Sequence, residues 1–236
     1  MSILYLIRHG QASFGSADYD DLSDRGRRQA HRLADHFLRA GIRFDACWSG
    51  TLRRQRQTAD AVRERYRDAG GTPPERSETS ALDEYDYESV LRALVPVIVA
   101  EDSSFSREVD AMFDDQRSFQ KVFGRVMRRW ASGRDSLESL PSWGAFCTQV
   151  TAGLQAIMAD CQAGSQVAVF TSGGPIAAFV GTVLDLSPVK TIGLSWQLVN
   201  ASVTRFAFSS GRTSLASFNE RAHLEGQGAA SLVTYR

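Results

Sequence analysis

Residues 3–7 read Ile-Leu-Tyr-Leu-Ile and pass at once into Arg8-His9-Gly10. A short run that is apolar at every position predicts a strand buried on both faces. A sheet covered on both sides requires layers of helix above and below it. The fold class expected from this is α/β, a three-layer α/β/α arrangement around a mostly parallel mixed sheet. Ligands in such sheets bind at the carboxyl ends of the strands. Arg8 and His9 are therefore placed where chemistry would occur.

The rest of the chain supplies the other layers. Ser23 to Gly41 predicts a helix with Ala30, Leu33, Ala34, Phe37 and Leu38 on one face, Ser23 as N-cap and Gly41 past the end. His31 and His36 fall off that face and read as solvated surface histidines. Phe44 to Ser49 predicts a second strand, after which Thr51 is expected to cap a helix ending at Gly70-Gly71. Residues 88–162 lack a strand–helix rhythm and predict a helical cap or insertion within a single domain spanning 1–236, with breaks at Pro96, Gly133 and Pro141-Ser142. Its stripe of Phe119, Val122, Phe123, Val126, Met127 and Trp130 reads either as helix packing or as the wall of a substrate pocket. Gln166 to Phe170 predicts a third strand leading into Thr171-Ser172-Gly173-Gly174-Pro175, with Pro175 at the first helical position. Val203–Phe208 and Thr213–Phe218 predict a hairpin across Ser209-Ser210-Gly211-Arg212.

Composition narrows the function classes. Lysine plus arginine and aspartate plus glutamate each number 27, so a dedicated nucleic-acid surface is not expected. Cys47, Cys147 and Cys161 form no CxxC pair or zinc-ligand spacing, and an odd sparse set suits a reducing compartment. Cys47, in an apolar run, is expected to be buried. No basic leader and no membrane-length apolar run are seen, which makes a cytoplasmic protein the expectation.

Arg8-His9 pairs a candidate nucleophile with a fork-shaped cation suited to phosphate oxygens. Further pieces follow in order. They are Leu22-Ser23-Asp24-Arg25-Gly26-Arg27-Arg28-Gln29-Ala30, Leu52-Arg53-Arg54-Gln55-Arg56-Gln57-Thr58-Ala59 and Leu82-Asp83-Glu84. Asn200 with Val203, and Asn219 with His223-Leu224, complete the set. Together they resemble the histidine phosphatase (phosphoglycerate mutase-like) superfamily over nearly the whole chain.

The resemblance implies a phosphomonoesterase acting on a small phosphorylated metabolite through a phosphohistidine at His9. Arg8 and Arg54 would clamp the phosphoryl oxygens, and Glu84 would protonate the leaving alcohol and then activate water. Neither metal nor organic cofactor is implied, and the partner is a small phosphorylated substrate or inorganic phosphate, with no membrane or nucleic acid. A homodimer is left open. One position departs from the pattern. Where the family places a second histidine, this chain has Ser172, which with Gly173 and the backbone amides around Gly174 is expected to bind phosphate without a cationic side chain. Ala12 and Gly15 also depart from the family's opening loop. Two alternatives stay open, a phosphoglycerate mutase and a weakly active or non-catalytic phospholigand-binding protein. Tyr85-Asp86-Tyr87-Glu88 does not match the mutase signature.

Overall fold

The computed structural model describes residues 1–13, 20–137, 140–225 and 230–235; Gly15 lies outside them. Its centre is β1 (Ser2–Arg8), whose side chains alternate between two cores. Leu4 and Leu6 enter one apolar cluster, whereas Tyr5 and Ile7 enter the other. A strand buried on both faces is what the unbroken apolar run dictates.

The flanking elements follow from the same logic. α1 (Asp24–Arg39) and α2 (Arg53–Asp68) cover the Tyr5–Ile7 face with Leu33, Phe37, Ala59 and Val62. The Ser23 hydroxyl accepts from the Gly26 N–H and caps α1, and Gly41 follows the helix at φ +66°. Between the two helices lies β2 (Ala46–Ser49), which buries the free thiol of Cys47. His31 is exposed, but His36 is half-buried with its ring 5.8 Å from His223.

The Leu4–Leu6 face is covered by α3 (Tyr87–Glu101), α4 (Ser106–Ala111), α5 (Gln116–Ser132), α6 (Trp143–Ala159), α7 (Gly173–Val183) and α8 (Pro188–Ser195). Residues from α3, α5, α6, α7 and α8 share one cluster with β1 and with β4 (Gln166–Thr171). Pro96, expected to break the helical pattern, lies inside α3. Leu94 and Ile98 are buried on either side of it, so packing holds the helix across the missing N–H. Pro175 is the third residue of α7, not its first.

The sheet order is β3-β2-β4-β1-β5-β6, with β3 at Arg76–Glu78, β5 at Val203–Ser209 and β6 at Arg212–Glu220. β1, β2, β3 and β4 run parallel, and β5 and β6 add the antiparallel hairpin. Only β3 gave no sequence signal. Its Arg-Ser-Glu is a polar edge without apolar alternation, recruited by pairing to β2.

The parallel pairing of β1 with β4 brings Arg8 opposite Thr171, so the two strand ends open at the same edge. There the loop after β1 runs against the first turn of α1. A Cβ on Gly10 would lie 2.5 Å from the Gly26 carbonyl oxygen, and one on Gly26 would lie 2.2 Å from that of Gln11. Gly26→Ala is expected to destabilise the protein by about 1–3 kcal/mol through overpacking against backbone. Gly193→Ala, in α8 with no atom within 4 Å of the new Cβ, is expected to be neutral or to stabilise by about 0.5–1 kcal/mol. Urea unfolding of the two variants beside the parent checks the contrast, and equal midpoints would refute the close approach.

Candidate active site

The carboxyl edge of β1 is tied down at every backbone group that carries His9. The His9 N–H donates to the Thr171 carbonyl at 2.8 Å. Its carbonyl accepts from the Ala201 N–H and from Asn200 Nδ2, both at 3.2 Å. The next N–H, of Gly10, donates to Thr58 Oγ1 at 3.0 Å. A side chain on so constrained a backbone has little freedom left.

The imidazole is oriented in turn. His9 Nδ1 lies 2.6 Å from the Gly10 carbonyl oxygen, which only accepts, so Nδ1 carries the proton. Nε2 is thereby the bare nitrogen, and it accepts from Arg54 Nε at 3.2 Å. Burial pushes the His9 pKa well below 6.5, and the charges of Arg54 and then Arg8 push the same way against the Gly10 carbonyl. The result is a neutral imidazole with a lone pair on Nε2 at neutral pH.

Arg54 sits in the first turn of α2, its side chain only 11% exposed. Asp20 holds it. One Asp20 oxygen contacts Arg54 Nη1 at 2.5 Å, and the other accepts from the Arg53 N–H at 2.7 Å, at the positive end of the helix. Arg8 donates from Nη1 to the Leu198 carbonyl and from Nη2 to that of Tyr235 at 3.1 Å. Thr51, expected to cap α2, instead gives its N–H and its hydroxyl to Asp83, each at 2.6 Å.

That contact settles which of three neighbouring acids can reach the site. Asp83 is committed to Thr51. Asp86 caps α3, taking the Ser89 N–H and hydroxyl. Glu84 points the other way. Its Oε2 accepts from the Gly174 N–H at 3.1 Å, and its Oε1 is closed to solvent with no hydrogen-bond partner among the described residues. Burial raises the Glu84 pKa, outweighing the Gly174 N–H and the charges of Arg54 and Arg8. A Cβ on Gly174 would lie 2.0 Å from Oε1, so only glycine admits the carboxyl there.

Arg8, His9, Arg54, Glu84 and Gly173 line one cavity of about 410 Å³. Ser172 does not reach its wall. The residue is wholly buried, and its hydroxyl accepts from Gln55 Nε2 at 2.9 Å. Gln55 is itself fully buried and also donates to the Leu82 carbonyl at 3.1 Å. A buried amide–hydroxyl pair thus occupies the place expected to contribute a phosphate ligand. The Gly174 amide, expected to face an anion, is taken by Glu84.

The aromatic stripe of α5 divides. Val122, Val126, Met127 and Trp130 are core, whereas Phe119 and Phe123 line the cavity with Tyr85, Tyr87 and Trp196. Sequence reasoning did not single out Asp20, Gln55, Thr58 or Trp196. Gln55 and Thr58 lie inside the quoted Leu52–Ala59 segment, so a signal was present for them. Asp20 and Trp196 carry none, because their roles depend on chain segments far apart in sequence.

A family model described as the histidine phosphatase superfamily (branch 1) matches residues 4–132 and 107–221. Several solved structures share the fold. Bacillus stearothermophilus YhfR is 18% identical with a TM-score of 0.67, and the alignment covers 95% of this chain and 100% of that one. Phosphoserine phosphatase from Entamoeba histolytica in complex with 3-phosphoglyceric acid is 20% identical with a TM-score of 0.64, covering 95% and 100%. Mycobacterial glucosyl-3-phosphoglycerate phosphatase with inorganic phosphate is 22% identical with a TM-score of 0.61, covering 94% and 99%. No curated protein matches the chain in sequence. Identities this low speak for the fold alone.

A second buried histidine supports the site from behind. His223 Nε2 lies 3.0 Å from the Ala201 carbonyl, and Ala201 in turn donates to His9. Burial pushes the His223 pKa down to about 4, with His36 adding to the effect. Between pH 6.5 and 4 the unfolded histidine binds a proton that the folded one does not. Stability therefore falls as pH drops through that window, by up to about 1.4 kcal/mol per pH unit for this one group. Urea unfolding at pH 7 and pH 5 checks it, with His223→Asn expected to show the smaller loss. An equal loss in both proteins would remove His223 as the cause.

Proposed function

The chain belongs to the histidine phosphatase superfamily (branch 1), and on that premise we propose that it is a metal-independent phosphomonoesterase acting through a phosphohistidine at His9. One observation carries the reading. A neutral imidazole, its proton held on Nδ1 by the Gly10 carbonyl, shares a cavity with two guanidinium groups and a carboxyl of raised pKa.

In the proposed reaction His9 Nε2 attacks phosphorus in line, forming the P–N bond as the P–O bond to the alcohol breaks. The Arg54 guanidinium that donates to Nε2 turns its donors to the phosphoryl oxygens, and Arg8 supports the others. The Gly173 backbone lines the same end of the cavity. Glu84 gives its proton to the departing oxygen. It then takes a proton from water, which attacks the phosphohistidine, restores neutral His9 and releases inorganic phosphate. Ser172 acts at one remove, by fixing Gln55. Among the described residues the site has one cationic ligand fewer than its family pattern, a loss worth on the order of 100- to 1000-fold in rate. Among the described residues no three His, Cys, Asp or Glu side chains converge as a metal site.

The substrate is a small phosphorylated metabolite. Structural neighbours include complexes with phosphoserine and with 3-phosphoglyceric acid, which supports that class without selecting a member. No described helix is long and apolar enough to cross a membrane. The Ser172–Gln55 pair favours a second reading, phosphate binding without turnover, because among the described residues no charge replaces the absent histidine. The two readings separate in a single comparison of rate and binding.

His9→Ala is expected to abolish hydrolysis of a generic phosphomonoester, and a chelator to leave it unchanged. Hydrolysis in His9→Ala equal to the parent would sink the phosphohistidine mechanism. Phosphate binding with no turnover in the parent would establish the second reading. His9 must be neutral and Glu84 protonated, so the pH–rate curve is expected to be bell-shaped. Its acid limb lies below the usual imidazole value of 6.5 and its alkaline limb above the usual carboxylate value of 4.5. Glu84→Gln should lower kcat by about 10²–10⁴-fold and remove the dependence that Glu84 imposes. Ser172→His should not raise the rate. The added ring would replace a fully buried hydroxyl bonded to Gln55, and the expected loss of stability from overpacking is about 1–3 kcal/mol. A faster, equally stable variant would show that the pocket behind Ser172 can open.

A further inference from the structure

We propose that this cavity selects phosphomonoesters whose alcohol carries an uncharged, flat aromatic group. The inference rests on the phosphatase reading for its chemistry and on the opposite end of the same cavity for its content. Beyond the phosphate end, the lining includes the rings of Tyr85, Tyr87, Phe119, Phe123 and Trp196, with the polar Gln120 and Ser195 beside them.

The rings form a continuous wall. Phe123 is its centre. Its ring stacks on Phe119 at 5.7 Å and 19°, meets Tyr87 edge-on at 5.9 Å, and meets Trp196 edge-on at 6.2 Å. Tyr85 is braced from behind by Trp130, Trp143 and Phe146, with ring centroids 4.9, 6.0 and 5.5 Å away. Phe119, Phe123, Tyr87 and Trp196 are all half-buried. They project from α5, the start of α3 and the end of α8, and do not belong to one helix stripe.

Such a wall discriminates by desolvation. A carboxylate on the alcohol, as in an amino-acid or hydroxy-acid phosphate, would lose water among rings whose faces are themselves electron-rich. The cations lining this cavity among the described residues, Arg8 and Arg54, stand at the phosphate end. A flat ring loses little on entry, and gains apolar burial with edge and face contacts. Arg128 is exposed and lies 5.8 Å from the Trp196 ring centroid, outside the lining set. Among the described residues it is a cation beside this wall that a distal anionic tail could meet.

Aryl esters are intrinsically better substrates than alkyl esters, so the test holds the leaving group constant. Phenethyl phosphate is compared with ethyl phosphate, cyclohexylethyl phosphate and O-phosphoserine, with kcat/KM as the readout. The phenyl ester is expected to exceed the ethyl ester about tenfold or more, to exceed the cyclohexyl ester, and to leave phosphoserine lowest. In Phe123→Ala, and in Phe123→Leu should the first not fold, the phenyl-to-ethyl ratio should fall towards one. A ratio near one in the parent, or one that Phe123 variants leave unchanged, overturns the proposal. A cyclohexyl ester equal to the phenyl ester reduces the wall to general hydrophobicity and overturns the aromatic claim. Preference for an aromatic ester bearing a carboxylate overturns the claim of an uncharged group and assigns the tail to Arg128. Calorimetry with phenethylphosphonate and ethylphosphonate separates selectivity from chemistry. Preferential binding of the phenyl compound without turnover of any ester refutes the phosphatase reading alone. Equal binding, or no binding of either, refutes the aromatic wall.

Discussion

The carboxyl edge of the sheet depends on two backbones meeting at Gly10 and Gly26. A side chain on Gly10 would enter the backbone of Gly26, and one on Gly26 would enter that of Gln11. With both absent, the first turn of α1 closes directly on the loop that carries His9. The Gln29 side chain can then accept from the Gln11 N–H and donate to the Leu232 carbonyl near the chain's end. Thr58 of α2 reaches the Gly10 N–H from another side. The residues that make the sequence pattern conspicuous thus mostly hold the loop after β1 in one conformation. Few of them touch the cavity.

That conformation would let an ordinary imidazole serve as the nucleophile of the proposed reaction. Burial and two guanidinium groups keep His9 neutral, and the Gly10 carbonyl decides which nitrogen is bare. The opposite tuning falls on Glu84, whose burial favours the protonated acid despite the same two cations. Both shifts begin with loss of water, and they differ in sign because a base and an acid respond oppositely to desolvation. Gly174 is the meeting point, since its N–H holds one carboxylate oxygen and its missing Cβ makes room for the other.

The site is also divided between the two sides of the molecule. The phosphate end is built where β1 and β4 finish and α2 begins, from backbone with almost no freedom. The far end is built from α3, α5 and α8 on the Leu4–Leu6 face, whose rings continue into the larger core. On the proposed reading, chemistry and selectivity rest on different elements. A change in those helices would then alter the alcohol that fits without moving His9.

Much of this was legible from residue order alone. The apolar run of residues 3–7 required a doubly covered strand, and local signals such as Ser23, Gly41 and Gly133 marked helix ends, because caps and turns are decided by near neighbours. What sequence could not decide were questions settled by partners distant along the chain. Thr51 reads as a cap until Asp83 takes both its donors. Glu84 stands out by its place in Leu82-Asp83-Glu84, but its environment differs from that of Asp83 and Asp86 only because Gly174, Thr51 and Ser89 engage them in turn. Ser172 reads as a weak phosphate ligand until Gln55, 117 residues earlier, is seen to hold it away from the cavity wall. Sequence determined the layered fold and the place of His9, because burial patterns and local caps are written in consecutive residues. Tertiary structure decided which neighbours acquired a shifted pKa, a cavity wall or a buried partner, because hydrogen bonding and desolvation depend on who arrives from elsewhere in the chain.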